Sequence, residues 1–286
     1  MFLDKQREIV ANQFLDMSDA LDRWVSRRDR INKKDNNSYL ILNFNSVLSD
    51  AGEQEYKARL NAKIDLPNSE DRFKLIFESD PEEDASPQDN ERSGKIGNEQ
   101  LAEDNAIASL EYSLQKKEFQ WRGALDIGSR LNLPPDAFVR LKIKKKTQLG
   151  NKWFSKTAFD FPWFAQEGAK PSARQSFSYS FTPNVSFRNV THVKYSAQES
   201  LRESYLSFQI NHQWSEHLVM EYKLGAYGDS ESHNETSAYF AQIGFRQHIY
   251  GDWMFLRLVP EVVYPREFDW RAQHAITISL QALYSN

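Results

Sequence analysis

The sequence predicts an all-β protein: a transmembrane antiparallel up-and-down β-barrel of about 14 strands, preceded by an amphipathic α-helix. Three observations predict it. Residues 56–66 (YKARLNAKIDL) alternate between apolar and polar, the same alternation recurs along the chain, and the connections between the repeats alternate in length. Because side chains alternate faces along a strand, residues 56–66 have one apolar and one charged face. A length of about 11 residues suits a tilted strand that crosses a bilayer.

Composition excludes several classes of function. Cysteine is absent, which excludes a disulfide framework and thiolate metal sites, and a formal net charge of -4 over 286 residues argues against a nucleic-acid partner. Mean hydropathy is -0.69, and no apolar run approaches the ~18 residues of a membrane helix. The start, MFLDKQREIV, has no basic region followed by an apolar core. We therefore expect no signal peptide in this sequence and interpret it as a mature chain with an added initiator Met.

Residues 1–37 are predicted to form an amphipathic helix and a polar linker, and residues 38–286 to form the barrel. No Gly or Pro interrupts residues 4 to 30. Apolar residues recur there at helical spacing, namely Val10, Phe14, Met17, Leu21, Trp24 and Val25. Two positions are open for this helix. It packs its apolar stripe on the barrel rim or the inner leaflet, or it enters the lumen as a plug.

The strands are expected in an unbroken series, with 12 to 14 as the range of their number. The predicted ranges are 39–48, 56–66, 72–78, 106–114, 119–127, 137–143, 153–163, 173–181, 185–195, 204–214, 218–227, 239–245, 254–264 and 270–284. Pro260 removes a backbone donor from the thirteenth strand, which predicts a bulge or a local break there. A soluble β-sandwich would also alternate, but its apolar face would have to meet a second sheet.

The connections indicate the topology. LPNSED, QKK, TQLGN, TPN, WSEH and YGD alternate with a second, mostly longer set, and an even strand count puts both termini on one side. The longest connection, residues 79–105, has nine acidic and two basic residues, which predicts a mobile acidic loop. Aromatic residues at strand ends are expected to form the interfacial girdles: Trp153, Trp163, Trp214, Trp253, Trp270 and Tyr284.

The polar register faces the lumen and is strongly basic. Seventeen basic positions against seven acidic ones leave an excess of about ten positive charges, and Arg and Lys rings in a pore favour anions. Alternatively, these charges pair across strands or with an inserted helix or loop and leave no open pore. The basic residues predicted to line the lumen include Lys57, Arg59, Lys63, Lys74, Arg122, Arg140, Lys142, Lys144, Arg174, Arg188, Arg246, Arg257 and Arg271.

From residue 39 to residue 284 the chain resembles the Gram-negative outer-membrane β-barrels and, in size, the fourteen-stranded monomeric porins. The resemblance is one of pattern, without a family-specific motif. The chain ends Tyr284-Ser285-Asn286, whereas such barrels usually end in Phe or Trp. The resemblance implies a bacterial outer-membrane location and contact with outer-membrane lipid and lipopolysaccharide.

Two functions follow from this resemblance. The first is a porin-like channel that passes small polar, preferably anionic, solutes. The alternative is a closed or plugged barrel that acts as a scaffold or a partner-binding component of an envelope assembly or export system. In that case the N-terminal helix would contact a periplasmic or envelope protein.

No pattern for catalysis, a cofactor or a metal site occurs in the sequence. Outer-membrane lipases and deacylases use a lipid-facing His and a Ser two residues apart, and none of the six His residues has a Ser two residues later. We therefore predict a protein that is not an enzyme and binds no cofactor, metal or nucleic acid. Asn189 and Thr191 fall on the outward register, which indicates either an oligomer contact or a slip of register.

Overall fold

An N-terminal helix and a closed antiparallel barrel make up the protein. The computed structural model describes residues 2–26, 38–50, 54–66, 73–79, 106–114, 120–131, 133–230 and 236–285. The predicted acidic loop lies outside the described residues except at Ser79.

Within the described residues, one helix is followed by the strands of the barrel. Helix α1 spans Phe2–Ser26. The barrel strands are β1 Tyr39–Ser49, β2 Gln54–Leu66, β3 Phe73–Glu78, β4 Ile107–Ser113, β5 Trp121–Arg130, β6 Asp136–Gln148, β7 Trp153–Phe164, β8 Ser172–Ser180, β9 Val185–Ser196, β10 Leu201–Gln213, β11 Leu218–Asp229, β12 Thr236–Tyr250, β13 Met254–Pro265 and β14 Gln273–Ser285. A two-residue strand, Gly168–Ala169, pairs with the end of β7, and a 3-10 helix, Arg266–Phe268, separates β13 from β14.

The sheet closes on itself. Each barrel strand pairs antiparallel with its neighbours in sequence, and β1 pairs with β14 from Tyr39–Ser285 to Ser49–Ala275. The predicted fold class is confirmed, with 14 strands in the barrel. Because the count is even, the chain enters β1 and leaves β14 at the same end, here called the terminal end. The opposite end is called the loop end.

Several strands differ from their predicted bounds, among them β6, β12 and β14. β12 spans Thr236–Tyr250 rather than 239–245, because its ladders continue past polar residues that the alternation does not mark. β14 begins at Gln273 rather than at residue 270. Asp269 and Trp270 have φ angles of 54° and 60° after the 3-10 turn, so they leave the extended conformation.

Pro260 interrupts the sheet locally. The β12–β13 ladder skips Ile243, Gly244, Val259 and Pro260 without a change of register, as expected for a residue that has no N–H to donate. The predicted local break is therefore confirmed. The irregularity in register of this strand pair lies elsewhere, between His248 and Tyr250 near the terminal end.

The alternation separates an apolar outer wall from a polar lumen wall. Paired residues in one outward line across β2–β6 are all aliphatic: Ile64, Leu75, Leu110, Ile127 and Val139. Leu110 is 39% exposed and Ile127 is 59% exposed. An exposed apolar belt of this kind is the surface that a barrel presents to lipid. No helix among the described residues is long and apolar enough to span a membrane.

Helix α1 lies against this outer wall at the terminal end. Phe14 is buried against Ile64 and Leu66, whose side chains point outward from β2. The residues packed around this contact occupy the same outward register of β1–β3, namely Leu40, Ala62, Phe73 and Leu75. Phe14 of α1 therefore covers part of the wall that would otherwise contact lipid.

Two polar contacts show the course of α1 along the rim. The Tyr250 hydroxyl, at the end of β12, donates a hydrogen bond to the Asp4 carboxylate. Fourteen residues later, Ser18 Oγ donates to the backbone carbonyl of Asp65 on β2, at 3.4 Å. Between these two points α1 crosses the β14–β1 seam of the barrel. Of the two positions left open for the helix, this contact agrees with the one on the barrel rim, because Phe14 packs on the outside of β2.

Candidate functional site

The lumen is the candidate functional site, and its charges fall into three regions. β6–β9 present mostly cations. β3–β6 present cations that are paired with carboxylates. β10–β13 converge on a single carboxylate. Each region is built from the inward register of neighbouring strands, so one strand contributes every second residue.

The first region, the basic wall, surrounds a cavity of about 180 Å³. On β6, Arg140 and Lys144 point inward because Leu141 and Ile143 occupy the outward register. Asp160 of β7 is the one carboxylate in the lining of this cavity, and Arg140 Nε lies 2.9 Å from both of its oxygens. Outside the lining, the Glu167 carboxylate lies 2.5 Å from Lys170 Nζ. The cations of the basic wall are Arg140, Lys144, Lys156, Lys170, Arg174, Arg188 and Lys194.

One member of the basic wall also lies opposite a further cation. Lys146 lies directly opposite Lys156 in the β6–β7 ladder. Like charges directly opposite each other destabilise a strand pair, and these two are tolerated because both side chains are exposed. With seven cations and one carboxylate, the basic wall is the most strongly charged part of the described lumen.

The second region is a paired network on β3–β6. Lys142 Nζ lies 2.6 Å from the Asp126 carboxylate and 3.5 Å from that of Glu111. Lys74 Nζ lies 3.9 Å from Glu111. Lys142 was predicted among the cations that attract anions, but here it balances two carboxylates. For this part of the lumen, the alternative that charges pair across strands is correct.

The third region centres on Glu221 of β11. Its carboxylate lies 3.1 Å from Lys223 Nζ and 3.3 Å from Arg257 Nη2, and it accepts a hydrogen bond from Gln209 Nε2 at 2.9 Å. A cavity of about 410 Å³ adjoins this group. Side-chain amides and hydroxyls make up much of its lining, including Asn43, Asn45, Asn211, Ser279 and Gln281.

Apolar side chains fill inward positions toward the loop end, which the sequence reading did not predict. Tyr227 stacks on Phe240 with ring centroids 4.8 Å apart, and Tyr205 lies 5.5 Å from Tyr227. Val190, Ala238 and Val263 complete this cluster, and a second one consists of Ile107, Phe138 and Phe164. The signal was present in the sequence, because these residues interrupt the otherwise polar inward register.

Most of the basic residues predicted to line the lumen do lie on the inward register. Arg122, for example, pairs with Lys144, and Lys57 pairs with Asn45. Arg271 is an exception: it is exposed in the connection before β14, since the strand begins two residues later. The prediction missed Arg130, which is 1% exposed and forms a 2.6 Å ion pair with Glu167 at the loop end.

The predicted girdle aromatics divide into two groups. Trp153 packs on Tyr179, Trp214 on His212 and Trp270 on Tyr239, and Trp163 is exposed, all toward the ends of the outer wall. Trp253 differs. It is 5% exposed in the turn after β12, where its ring lies 5.8 Å from Tyr250 and 5.9 Å from Tyr284. Trp253 is therefore covered by its neighbours at the terminal end and does not present its ring to lipid.

Solved structures of outer-membrane proteins are similar to this barrel at low sequence identity. No protein-family model and no curated protein matches the sequence. The anion-selective porin from Comamonas acidovorans is similar over 87% of this chain and 98% of that chain, with 8% identity and a TM-score of 0.49. OmpT, an outer membrane protein of Vibrio cholerae, is similar over 90% of this chain and 100% of that chain, with 8% identity and a TM-score of 0.49. The KdgM porin covers 85% of this chain and 98% of its own, with 6% identity and a TM-score of 0.40.

Within the part of the chain that the structure describes, no group of three or more His, Cys, Asp or Glu side chains is placed to hold a metal ion.

Proposed function

We propose that this protein is a channel of a bacterial outer membrane that passes small polar solutes and prefers anions. The observation that supports it is the basic wall, where seven cations and one carboxylate surround a cavity in the lumen. The outer-membrane location is supported by the closed, even-numbered barrel with its apolar outer wall, which is the architecture of bacterial outer-membrane proteins. Lipid and lipopolysaccharide would surround this wall.

The preference for anions over cations follows from the net charges of the three lumen regions taken together. The paired network combines Lys74 and Lys142 with Glu111 and Asp126, so it contributes little net charge. The Glu221 group likewise mixes both signs. The basic wall keeps a large excess of cations, and low-dielectric walls focus such a field into the lumen. Fixed positive charge along a pore raises the local concentration of anions and lowers that of cations.

Neutralising three members of the basic wall should reduce the anion preference. We expect the triple variant Lys144→Gln, Lys156→Gln and Arg188→Gln to shift the chloride-to-potassium permeability ratio toward equality. Zero-current potentials in a KCl gradient across a planar bilayer measure this ratio. Raising the salt concentration should reduce the difference between the two proteins, because counterions screen the wall.

Lys145 supplies a matched control for that experiment. It is adjacent to Lys144 on β6 but belongs to the outward register, where its Nζ lies 5.4 Å from the centre of the Trp121 ring. Lys145→Gln removes the same charge from the same strand and should leave the permeability ratio unchanged. Equal effects of Lys145→Gln and of Lys144→Gln alone would contradict the role proposed for the basic wall.

A closed barrel that serves as a scaffold or partner-binding component is the second candidate. The apolar clusters at the loop end favour it, because Phe164 is 0% exposed and Tyr205 is 1% exposed at inward positions that a wide water-filled pore would leave wet. Helix α1, on the outer wall, would then be the contact for an envelope partner. Single-channel recording separates the two candidates, since a closed barrel gives no steps of current.

A further inference from the structure

A row of hydrogen-bonding side chains crosses the outer wall of the barrel, on the face that meets lipid. In register across four neighbouring strands lie Lys145 of β6, Thr157 of β7, Gln175 of β8 and Thr191 of β9. Each belongs to the outward register, because the residues beside it in its strand line the lumen. The outer wall of the described strands carries no other row of polar residues across so many strands.

The burial pattern of the strands establishes their register, so the polar row is not the result of a slipped strand. On β9, His192 and Lys194 are buried on the lumen side while Thr191 and Val193 are exposed. On β7, Thr157 lies on the same face as Trp153 and Trp163 and between them. The row therefore enters the apolar belt and is not confined to the headgroup level.

Short hydrogen bonds link part of the row within the barrel. Thr157 Oγ1 donates to Gln175 Oε1 at 2.6 Å, and Gln175 Nε2 donates to Ser155 Oγ at 2.8 Å. These bonds orient the Gln175 amide along the wall. One acceptor lone pair of Gln175 and the hydroxyl of Thr191 remain available, since within the described residues Thr191 donates no side-chain hydrogen bond. Acyl chains offer neither a donor nor an acceptor to these groups.

We propose that the β7–β9 wall is the contact between two copies of this chain in the membrane. Its mid-wall groups, Thr157, Gln175 and Thr191, are neutral and both donate and accept hydrogen bonds, so the surface is complementary to itself. A two-fold axis that passes between β8 and β9 brings Gln175 of each copy to Thr191 of the other. Polar side chains hold membrane-embedded elements together by bonds of this kind.

The distribution of polar residues over the outer wall also favours a two-fold dimer over a cyclic trimer. In a cyclic trimer the polar row would face a different patch of the neighbouring copy. On β12–β14 and β1–β5 the middle of the outer wall is aliphatic or aromatic, with residues such as Leu258, Ile278 and Leu60. An aliphatic or aromatic patch cannot form hydrogen bonds with Gln175, whereas the β7–β9 wall of a second copy can. This contact does not depend on which solute the lumen passes.

Cross-linking tests the proposed contact without interference, because the chain has no native cysteine. With a bifunctional thiol reagent whose arm spans the ~10 Å between packed sheets, Thr191→Cys should form a covalent dimer in lipid. Ile278→Cys, on the far wall and similarly exposed at 39%, should not. Equal cross-linking of the two variants, or none in either, would overturn the proposal.

Native mass spectrometry from lipid nanodiscs supplies a second, independent readout. The unmodified protein should release a dimer, and the double variant Gln175→Leu and Thr191→Val should weaken dimerisation roughly tenfold or more. Ile278→Val is the control, and heat-modifiable gel migration verifies that each variant is folded. A monomer at all protein concentrations, a trimer, or a dimer that the double variant leaves unchanged would each contradict the two-fold contact.

Discussion

Replacing Leu60 by Arg should lower the free energy of unfolding by about 2–4 kcal/mol, because it places a cation in the hydrocarbon near the midplane of the bilayer. Leu60 lies at the centre of β2, on the outward register that it shares with Leu42 of β1. Unfolding of the barrel in phospholipid vesicles with increasing denaturant measures the change directly.

The neighbouring residue provides the control for this measurement. Asn61 belongs to the lumen register and lies opposite Glu78, so Arg at this position meets water and a carboxylate. We expect Asn61→Arg to change the free energy of unfolding by less than about 1 kcal/mol. If the two variants were equally stable, or if Asn61→Arg were the worse, β2 would not face lipid as described.

Replacing Phe14 by Ala should release helix α1 from the barrel wall. Phe14 is the buried anchor of the helix, and removing a buried Phe side chain costs about 3 kcal/mol or more. The effect concerns docking of the helix rather than the barrel, because Phe14 packs on the outer wall. Hydrogen exchange of the α1 amides should therefore accelerate by about a hundredfold, and the barrel strands should stay protected.

Asn12 is the matched control for Phe14, since it lies two residues away on the exposed side of α1. Asn12→Ala should leave the exchange of α1 unchanged. Deleting residues 2–26 should also leave single-channel conductance unchanged, because the helix does not occupy the lumen. A sharp rise in conductance on deletion would mean that the helix blocks the lumen after all.

The barrel itself could be predicted from sequence because its signal is local. Every second residue of a membrane-crossing strand must be apolar, so a segment such as residues 56–66 indicates its own conformation, orientation and register at once. The ends of strands are less constrained. At Trp270 the alternation continues into the 3-10 turn, and only the backbone conformation shows that β14 begins later.

The position of α1 could not be predicted because an apolar stripe does not specify what covers it. The stripe around Phe14 suited either the outer wall or an occupied lumen. The outcome depends on the apolar ends of β2 and β3, at Leu66 and Phe73, being adjacent to the start of β1 in space. That adjacency is a property of the closed barrel and not of any one segment.

The lumen could be predicted only in part, because the pairing of its charges depends on contacts between strands. The inward register of Lys142 and Lys144 was readable, but their different roles were not. Lys142 pairs with Asp126 on the next strand, whereas Lys144 lines the cavity of the basic wall. Such pairing depends on cross-strand register, which joins residues about sixteen apart in sequence here. A count of inward charges therefore overstates the field in the paired network, whereas seven cations and one carboxylate line the cavity of the basic wall.

The most direct test of the central claim is the zero-current potential of the unmodified protein in a KCl gradient across a planar bilayer. If the basic wall selects anions, chloride crosses faster than potassium and the dilute compartment becomes negative relative to the concentrated one. A dilute compartment that becomes positive would mean that the channel prefers cations and would contradict the claim, as would a bilayer that stays silent after the barrel has inserted.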